Sequence, residues 1–326
     1  MAPIISVVVP VYNERENLGA LVGRLVPTLE GATGGSFEVL FVDDGSCDGS
    51  TEALDSLHDR ERRLKVIHFS RNFGHQAALQ AGLDEASGQA VCLMDADLQD
   101  PPEMLAQLIE HWRQGNQVVY AMRKQRKEGF LKRAAYAIFY RTMKIMAEID
   151  LPLDAGDFCL LDRTVVESLN SLRERNRFLR GLRSWVGFKQ IGVEYERDAR
   201  HAGAPKYTLR KLIRLALSGY IGFSAMPLRA AAWLGFLSAV LGFVVGLWAV
   251  ATKLLGIPSP RGWASILAVV LFVGGVQLLM LGVIGEYLSR VYDEVRRRPL
   301  YIVSSRAGLA DRASKAAVAE RETAQR

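Results

Sequence analysis

The chain has 326 residues, 49% of them apolar, and a formal net charge of +6. That length exceeds one average domain, so a soluble core with an added module is the expectation. Three cysteines (Cys47, Cys92, Cys159) at spacings that no zinc site uses exclude a disulfide-stapled scaffold and read as reduced core thiols. The basic excess gathers in residues 123–144 and 197–214. Such patches suit anionic partners (nucleic acid, phosphorylated ligands or anionic lipid) or form a plain solvated face.

In chain order, residues 4–9 are apolar but start almost at the first residue and lack a basic leader, so they read as a buried strand rather than a targeting signal. Further strands are predicted over 38–42, 65–69, 90–94 and 117–121, with amphipathic helices near 15–30, 50–60, 75–87 and 102–113. Strands rich in Val, Ile and Leu on both faces, joined by helices, predict a mostly parallel sheet flanked by helices. Ligands bind such sheets outside the carboxyl ends of the strands. The polar residues gather there: Asn13 and Glu14, Asp43 and Asp44, Arg71 and Asn72, Asp95 and Asp97.

Residues 230–252 and 262–285 carry no charge, and each run exceeds the roughly 20 residues that cross a bilayer. The link between them contains Pro258 and Pro260, which favour a turn. Trp233, Trp248 and Trp263 lie near the run ends, as interfacial anchors do. Arg210, Lys211, Arg214 and Arg229 precede the pair, and Arg290 and Arg296 to Arg298 follow it, whereas the link has only Lys253 and Arg261. The positive-inside bias therefore puts both outer ends in the cytoplasm. The organisation expected is a catalytic domain over 1–207, interfacial amphipathic helices over 208–229, a transmembrane hairpin over 230–290 and a cytoplasmic, partly disordered tail over 291–326.

The strongest chemical signal is Asp95-Ala96-Asp97-Leu98-Gln99-Asp100, at the end of a strand and ahead of Pro101-Pro102. Two carboxylates one residue apart converge on a divalent cation, and hard oxygen ligands suit Mg2+ or Mn2+, which neutralise a leaving diphosphate. No G-x-G-x-x-G follows the first strand, which disfavours a dinucleotide-binding dehydrogenase. Asp43-Asp44-Gly45-Ser46 also reads as a plain turn and helix cap.

Together with Val9-Pro10-Val11-Tyr12-Asn13-Glu14 and Phe41-Val42-Asp43-Asp44-Gly45-Ser46, this element resembles the family 2 glycosyltransferases of the GT-A fold, over residues 4–200. The resemblance implies nucleotide-sugar contacts by Pro10, Tyr12, Glu14, Asp44, Asp95 and Gln99, with Asp97 and Asp95 on the metal. A closer resemblance lies in Ser70-Arg71-Asn72-Phe73-Gly74-His75, Arg123-Lys124 with Lys132-Arg133, Asp154-Ala155-Gly156-Asp157-Phe158, and Arg200-His201-Ala202-Gly203 with Lys206-Tyr207. These are similar to the polyprenyl-phosphate glycosyltransferases, which include dolichol-phosphate mannose synthase and the bactoprenol glucosyltransferases. Ala204-Pro205 departs from the acidic residue and serine more common there.

That resemblance implies transfer of one sugar from a nucleotide sugar to undecaprenyl phosphate at the cytoplasmic face of the inner membrane, with inversion, by a homo-oligomer, a tetramer. UDP-glucose is the expected donor, and GDP-mannose or a UDP-amino sugar are the alternatives. Arg123, Arg126, Lys132 and Arg133 form a basic stretch able to clamp the acceptor phosphate. Arg200 and Lys206 are expected at the donor diphosphate or the acceptor, Asp97 and Asp157 as catalytic residues (Asp157 as base or acceptor-orienting group), and His75 and His201 as polar contacts. A processive polysaccharide synthase is disfavoured, because Arg183-Ser184-Trp185 does not fit Gln-x-x-Arg-Trp and only two spans exist. Intact Asp95, Asp97 and Asp157 argue against a non-catalytic scaffold, and a nucleic-acid binder would rest on basic residues alone.

Overall fold

The computed structural model describes residues 3–123, 155–172, 174–175, 177–195, 226–255 and 262–309. They form two compact units. The first takes the described residues up to 195 together with 299–309, and the second takes 226–298.

In the first unit, β1 (Ile5–Val11), α1 (Arg15–Thr33), β2 (Phe37–Asp43), α2 (Ser50–Arg60), β3 (Leu64–Phe69), α3 (His75–Glu85), β4 (Ala90–Leu93), α4 (Met104–Arg113) and β5 (Val118–Arg123) alternate along the chain. Then come β6 (Ala155–Asp162), α5 (Arg163–Ser171), α6 (Leu179–Trp185) and β7 (Gln190–Tyr195), and β8 (Val303–Ala307) returns after the second unit. The strands form one eight-stranded sheet in the order β7-β5-β6-β4-β1-β2-β3-β8. β6 runs antiparallel to β4 and β5, and β8 antiparallel to β3, while the other pairs are parallel. This is the mixed, mostly parallel sheet flanked by helices of the GT-A type.

Every residue of β1 and β2 is buried, as a central strand covered on both faces demands. In α1, Leu18, Leu21, Leu25 and Leu29 recur at helical spacing and are buried, each stabilising the fold by roughly 1.5–3 kcal/mol. Gly34, left-handed at φ 65, ends that helix with its N–H on the Glu30 carbonyl.

The topology positions the site. β4 pairs with β6 so that Leu93 faces Cys159. Continuing that antiparallel register by two residues brings Asp157 opposite Asp95. The carboxyl ends of β1, β2, β4, β5 and β7 and the start of β6 thus share one edge of the sheet.

Two expectations are corrected. The segment 291–326 is not simply a tail: a helix continues to Arg296 and Val303–Ala307 pairs as β8. Tyr301, just ahead of β8, stacks on Phe69 with ring centroids 5.0 Å apart and donates to Asp84 at 2.6 Å. Docking onto a sheet edge uses backbone hydrogen bonds, which the polar composition of the segment does not register. Cys47 is exposed in the loop after β2, whereas Cys92 and Cys159 are buried.

The second unit contains α7 (Met226–Leu254) and α8 (Trp263–Arg296), of 29 and 34 residues, or about 43 and 51 Å. Both are long and apolar enough to cross a membrane. Their apolar side chains, among them Phe236, Phe243, Trp248, Phe272 and Leu278, are exposed, unlike those of a soluble core helix. Gly235 lets the two helices approach, since a Cβ there would lie 2.3 Å from Met280 Cε.

Candidate active site

Three loops at the sheet edge are tied together. Asn13 (φ 55) donates its N–H to Ser46 Oγ at 3.0 Å and accepts from the Cys47 N–H at 2.9 Å. Glu14 N–H donates to Ser50 Oγ at 3.2 Å, and the Glu14 carboxylate accepts from Asn17 Nδ2 at 2.7 Å. The Asp44 carboxylate accepts from the amides of Phe73 at 2.6 Å and Gly74 at 2.9 Å, fixing the loop that leads into α3. Gly45 (φ 71) permits this closeness, because a Cβ there would sit 2.6 Å from the Arg71 carbonyl carbon.

Asp43 is a strut. Its carboxylate accepts from Ser46 N–H at 3.0 Å and Thr51 Oγ at 2.6 Å and lies 3.1 Å from His68 Nδ1, whose Nε2 is 3.0 Å from Asp55. Burial alone would raise the Asp43 carboxyl; the bonds from His68, Ser46 and Thr51 outweigh it and lower it to about 2. The same pair of carboxylates holds His68 above its ordinary value against the opposing effect of burial.

The centre lies between β4, β6, α3 and α6. His75, the first residue of α3, has Nε2 3.7 Å from both Asp95 Oδ1 and Asp157 Oδ2. Arg180 of α6 grips Asp157 with Nε at 3.2 Å and Nη2 at 3.1 Å, one to each oxygen. Burial opposes ionisation of Asp157, yet the contacts with His75 and Arg180 hold its carboxyl well below the usual range. Asp95 goes the other way. Burial, reinforced by Asp157, Asp100 and Asp97 and opposed by His75, pushes it up to about 6.

The loop after β4 makes a tight turn. Leu98 is buried with φ 58, and the Gln99 N–H reaches back to Asp97 Oδ1 at 3.2 Å. Asp100, also buried, accepts from the hydroxyl of Tyr195.

Among the described residues no three His, Cys, Asp or Glu side chains assemble into a metal cage. Two carboxylates at a loop, completed by substrate phosphates and water, are the donor set Mg2+ commonly takes. Burial is the main cause of the raised Asp95, and the nearby Asp157, Asp100 and Asp97 add negative charge that such a cation would relieve, so the donor set fits a divalent ion.

Of the residues singled out from the sequence, the fold gathers Asp95, Asp97, Gln99 and Asp157 at one edge, with Tyr12 exposed and Glu14 half-buried beside them. Pro10 is buried within β1, and Asp44 is buried with its carboxylate on backbone amides. Arg123 ends β5. Arg126, Lys132, Arg133, Arg200, His201 and Lys206 lie outside the described residues, as do 208–225. Arg180 escaped the sequence reading. Its only sequence signal is its place on a short helix following the strand of Asp157, beside the Arg183-Ser184-Trp185 that excluded a synthase motif.

The glycosyl transferase family 2 model matches residues 6–169, and a model described as the GtrB C-terminal hairpin matches residues 226–291. The chain is 47% identical to an uncharacterised glycosyltransferase of Bacillus subtilis, over 93% of this chain and 94% of that protein. It is 41% identical to a prophage-derived bactoprenol glucosyl transferase of Shigella flexneri (92% and 97%) and 39% identical to a prophage bactoprenol glucosyl transferase homolog of Escherichia coli (92% and 98%). The chain belongs to glycosyl transferase family 2.

Proposed function

We propose that this chain transfers a single sugar from a nucleotide sugar to a polyprenyl phosphate at the cytoplasmic face of the inner membrane. The observation that carries the reading is the convergence of Asp95 and Asp157, bridged by His75 and backed by Arg180, beside the Asp97 loop at one sheet edge. Relatives named bactoprenol glucosyl transferases, matched over more than nine-tenths of both chains, support the acceptor class. The exposed apolar surface of α7 and α8 supports attachment to a bilayer, where such an acceptor resides.

In this reading an oxygen of the lipid phosphate attacks the anomeric carbon, the bond from that carbon to the diphosphate breaks, and the nucleoside diphosphate leaves with inversion. Asp97 and Asp95 would hold a divalent cation, which when bound would neutralise the leaving diphosphate. Tyr12, Glu14 and Gln99 line the donor side, Pro10 shapes its floor, and Asp44 serves the base and ribose through the loop it fixes. Arg200 and Lys206 neutralise the diphosphate, and Arg123, Arg126, Lys132 and Arg133 receive the acceptor phosphate. Asp157 orients the acceptor rather than deprotonating it: its depressed carboxyl is a poor base, and a phosphate monoester is largely ionised near neutral pH. Residues 1–207 supply catalysis, 208–229 a surface-lying link and 230–290 the membrane hairpin.

Purified protein in detergent, given undecaprenyl phosphate and a panel of nucleotide sugars with Mg2+ or Mn2+, tests this directly. One donor, UDP-glucose on this reading, is expected to yield nucleoside diphosphate only when the lipid is present, and EDTA is expected to silence it. Lipid-independent release, or full turnover in excess chelator, would contradict the proposal.

A further inference from the structure

We propose that Tyr195 is a positioning residue for the loop of Asp95 and Asp97, holding it through Asp100 in the turn that presents both carboxylates to the metal and diphosphate. This rests on the metal-donor reading of those two residues given above.

The loop is under local strain. Leu98 is a non-glycine residue in the left-handed region, at φ 58, and it is buried. An L-residue with a branched side chain adopts that conformation at a cost, and keeps it only where the surroundings over-determine it. Three contacts do so here. The Leu98 side chain sits in the hydrophobic core, the Gln99 amide bonds back to Asp97, and Asp100 accepts from the Tyr195 hydroxyl on the far side of the turn. The second is internal to the loop, and the first is non-directional packing against the core. The Tyr195 hydroxyl adds a directional tie from β7.

Its placement suits that task. Tyr195 ends β7 and is buried, and its ring packs edge-on against Phe158, centroids 6.2 Å apart, the residue that follows Asp157. In the sheet its register partner is Arg123. One side chain therefore braces the Asp95–Asp100 loop against the strand of Asp157, beside the end of β5. The bond also turns a third carboxylate, Asp100, toward a neutral donor. That leaves Asp95 and Asp97 as the pair set for the cation and limits competition from a residue on the same loop.

The plain alternative is that Tyr195 merely satisfies a buried hydroxyl. The two differ in what the loop loses when the hydroxyl goes. Tyr195→Phe keeps the ring against Phe158, and Asp100→Asn keeps an acceptor oxygen whereas Asp100→Ala does not. Mn2+ binding to full-length protein, read by the electron paramagnetic resonance signal of free Mn2+ with UDP or GDP present, reports the loop without turnover. Tyr195→Phe and Asp100→Ala are expected to weaken Mn2+ binding about 10-fold, the low end of the range for losing an outer-shell contact of a metal site, with the thermal midpoint within a few degrees of wild type. Asp100→Asn is expected to recover most of that loss. Wild-type protein that binds no Mn2+ would overturn the metal reading and this inference with it. Wild-type protein that binds Mn2+ no better than Tyr195→Phe would overturn the positioning role alone. So would a Tyr195→Phe defect that appears only with a large fall in midpoint.

Discussion

Arg180 and His75 place two nitrogen groups against one carboxylate, and the consequence is chemical. The guanidinium fork and the imidazole outweigh burial and favour the ionised Asp157, which under the proposed function suits an electrostatic, orienting role. Arg180→Ala is expected to lower kcat/KM about 100-fold, the scale of losing one partner of a largely buried, hydrogen-bonded pair. Arg180→Lys, with the charge but not the fork, is expected to fall between; equal activity of all three would remove Arg180 from the site. At His68 the effect is on stability. Its folded value is raised above 6.5, so its contribution is fully present below that pH and is lost as pH rises through the folded value. Asp43 behaves oppositely, contributing above 3.8 and losing that contribution as pH falls toward 2. The network therefore stabilises most between about pH 4 and 6.5. The thermal midpoint is expected to decline from pH 6.5 to 8 more steeply in wild type than in His68→Gln, and parallel curves would refute this. At this scale Asp43, Asp44, Asp95 and Asp97 were legible from their places at strand ends, and Asp157 only through the family motif around it. Arg180 and Tyr195 were not, because α6 and β7 meet Asp157 and Asp100 only through tertiary packing.

Among the elements, the first five strands and four helices were readable because apolar runs and helical periodicity there coincide with burial. β7 was missed for a physical reason: it is a half-buried edge strand with weak alternation. β6 was noticed only for its Asp157 motif. β8 is short and polar, and it follows two membrane-length helices, so nothing local announces that it closes the edge of β3. Its anchorage makes a sharp prediction. Tyr301 combines ring stacking on Phe69 with a hydrogen bond to Asp84, and Arg306 lies 3.7 Å from the buried Glu85. Tyr301→Phe is expected to cost about 1 kcal/mol, the worth of one hydrogen bond, and Tyr301→Ala about 3 kcal/mol or more as the aromatic packing is lost too. Denaturant unfolding of the purified protein reads both, and two variants of wild-type stability would mean that β8 is dispensable to the sheet.

At the level of the whole molecule, chain connectivity restricts topology. Within the first unit, β7 ends and β8 begins at the sheet edge that carries Asp95 and Asp157, since Val303 at the start of β8 pairs with Phe69 at the end of β3. A strand cannot pair across a bilayer, so both outer ends of a spanning α7–α8 hairpin emerge on one side. A cysteine introduced at Ser259 is expected to react with an impermeant thiol reagent outside intact cells, while the exposed native Cys47 reacts only after permeabilisation. The reverse pattern would overturn the orientation. Sugar moved onto a membrane lipid phosphate carries radiolabel from the nucleotide sugar into an organic-extractable product. Membranes containing the wild-type chain and added undecaprenyl phosphate are expected to transfer label into the organic phase, and membranes containing Asp97→Asn are expected to transfer none. Label that stays in the aqueous phase with wild-type protein, or that reaches the lipid equally with Asp97→Asn, would mean that this site does not transfer sugar to lipid.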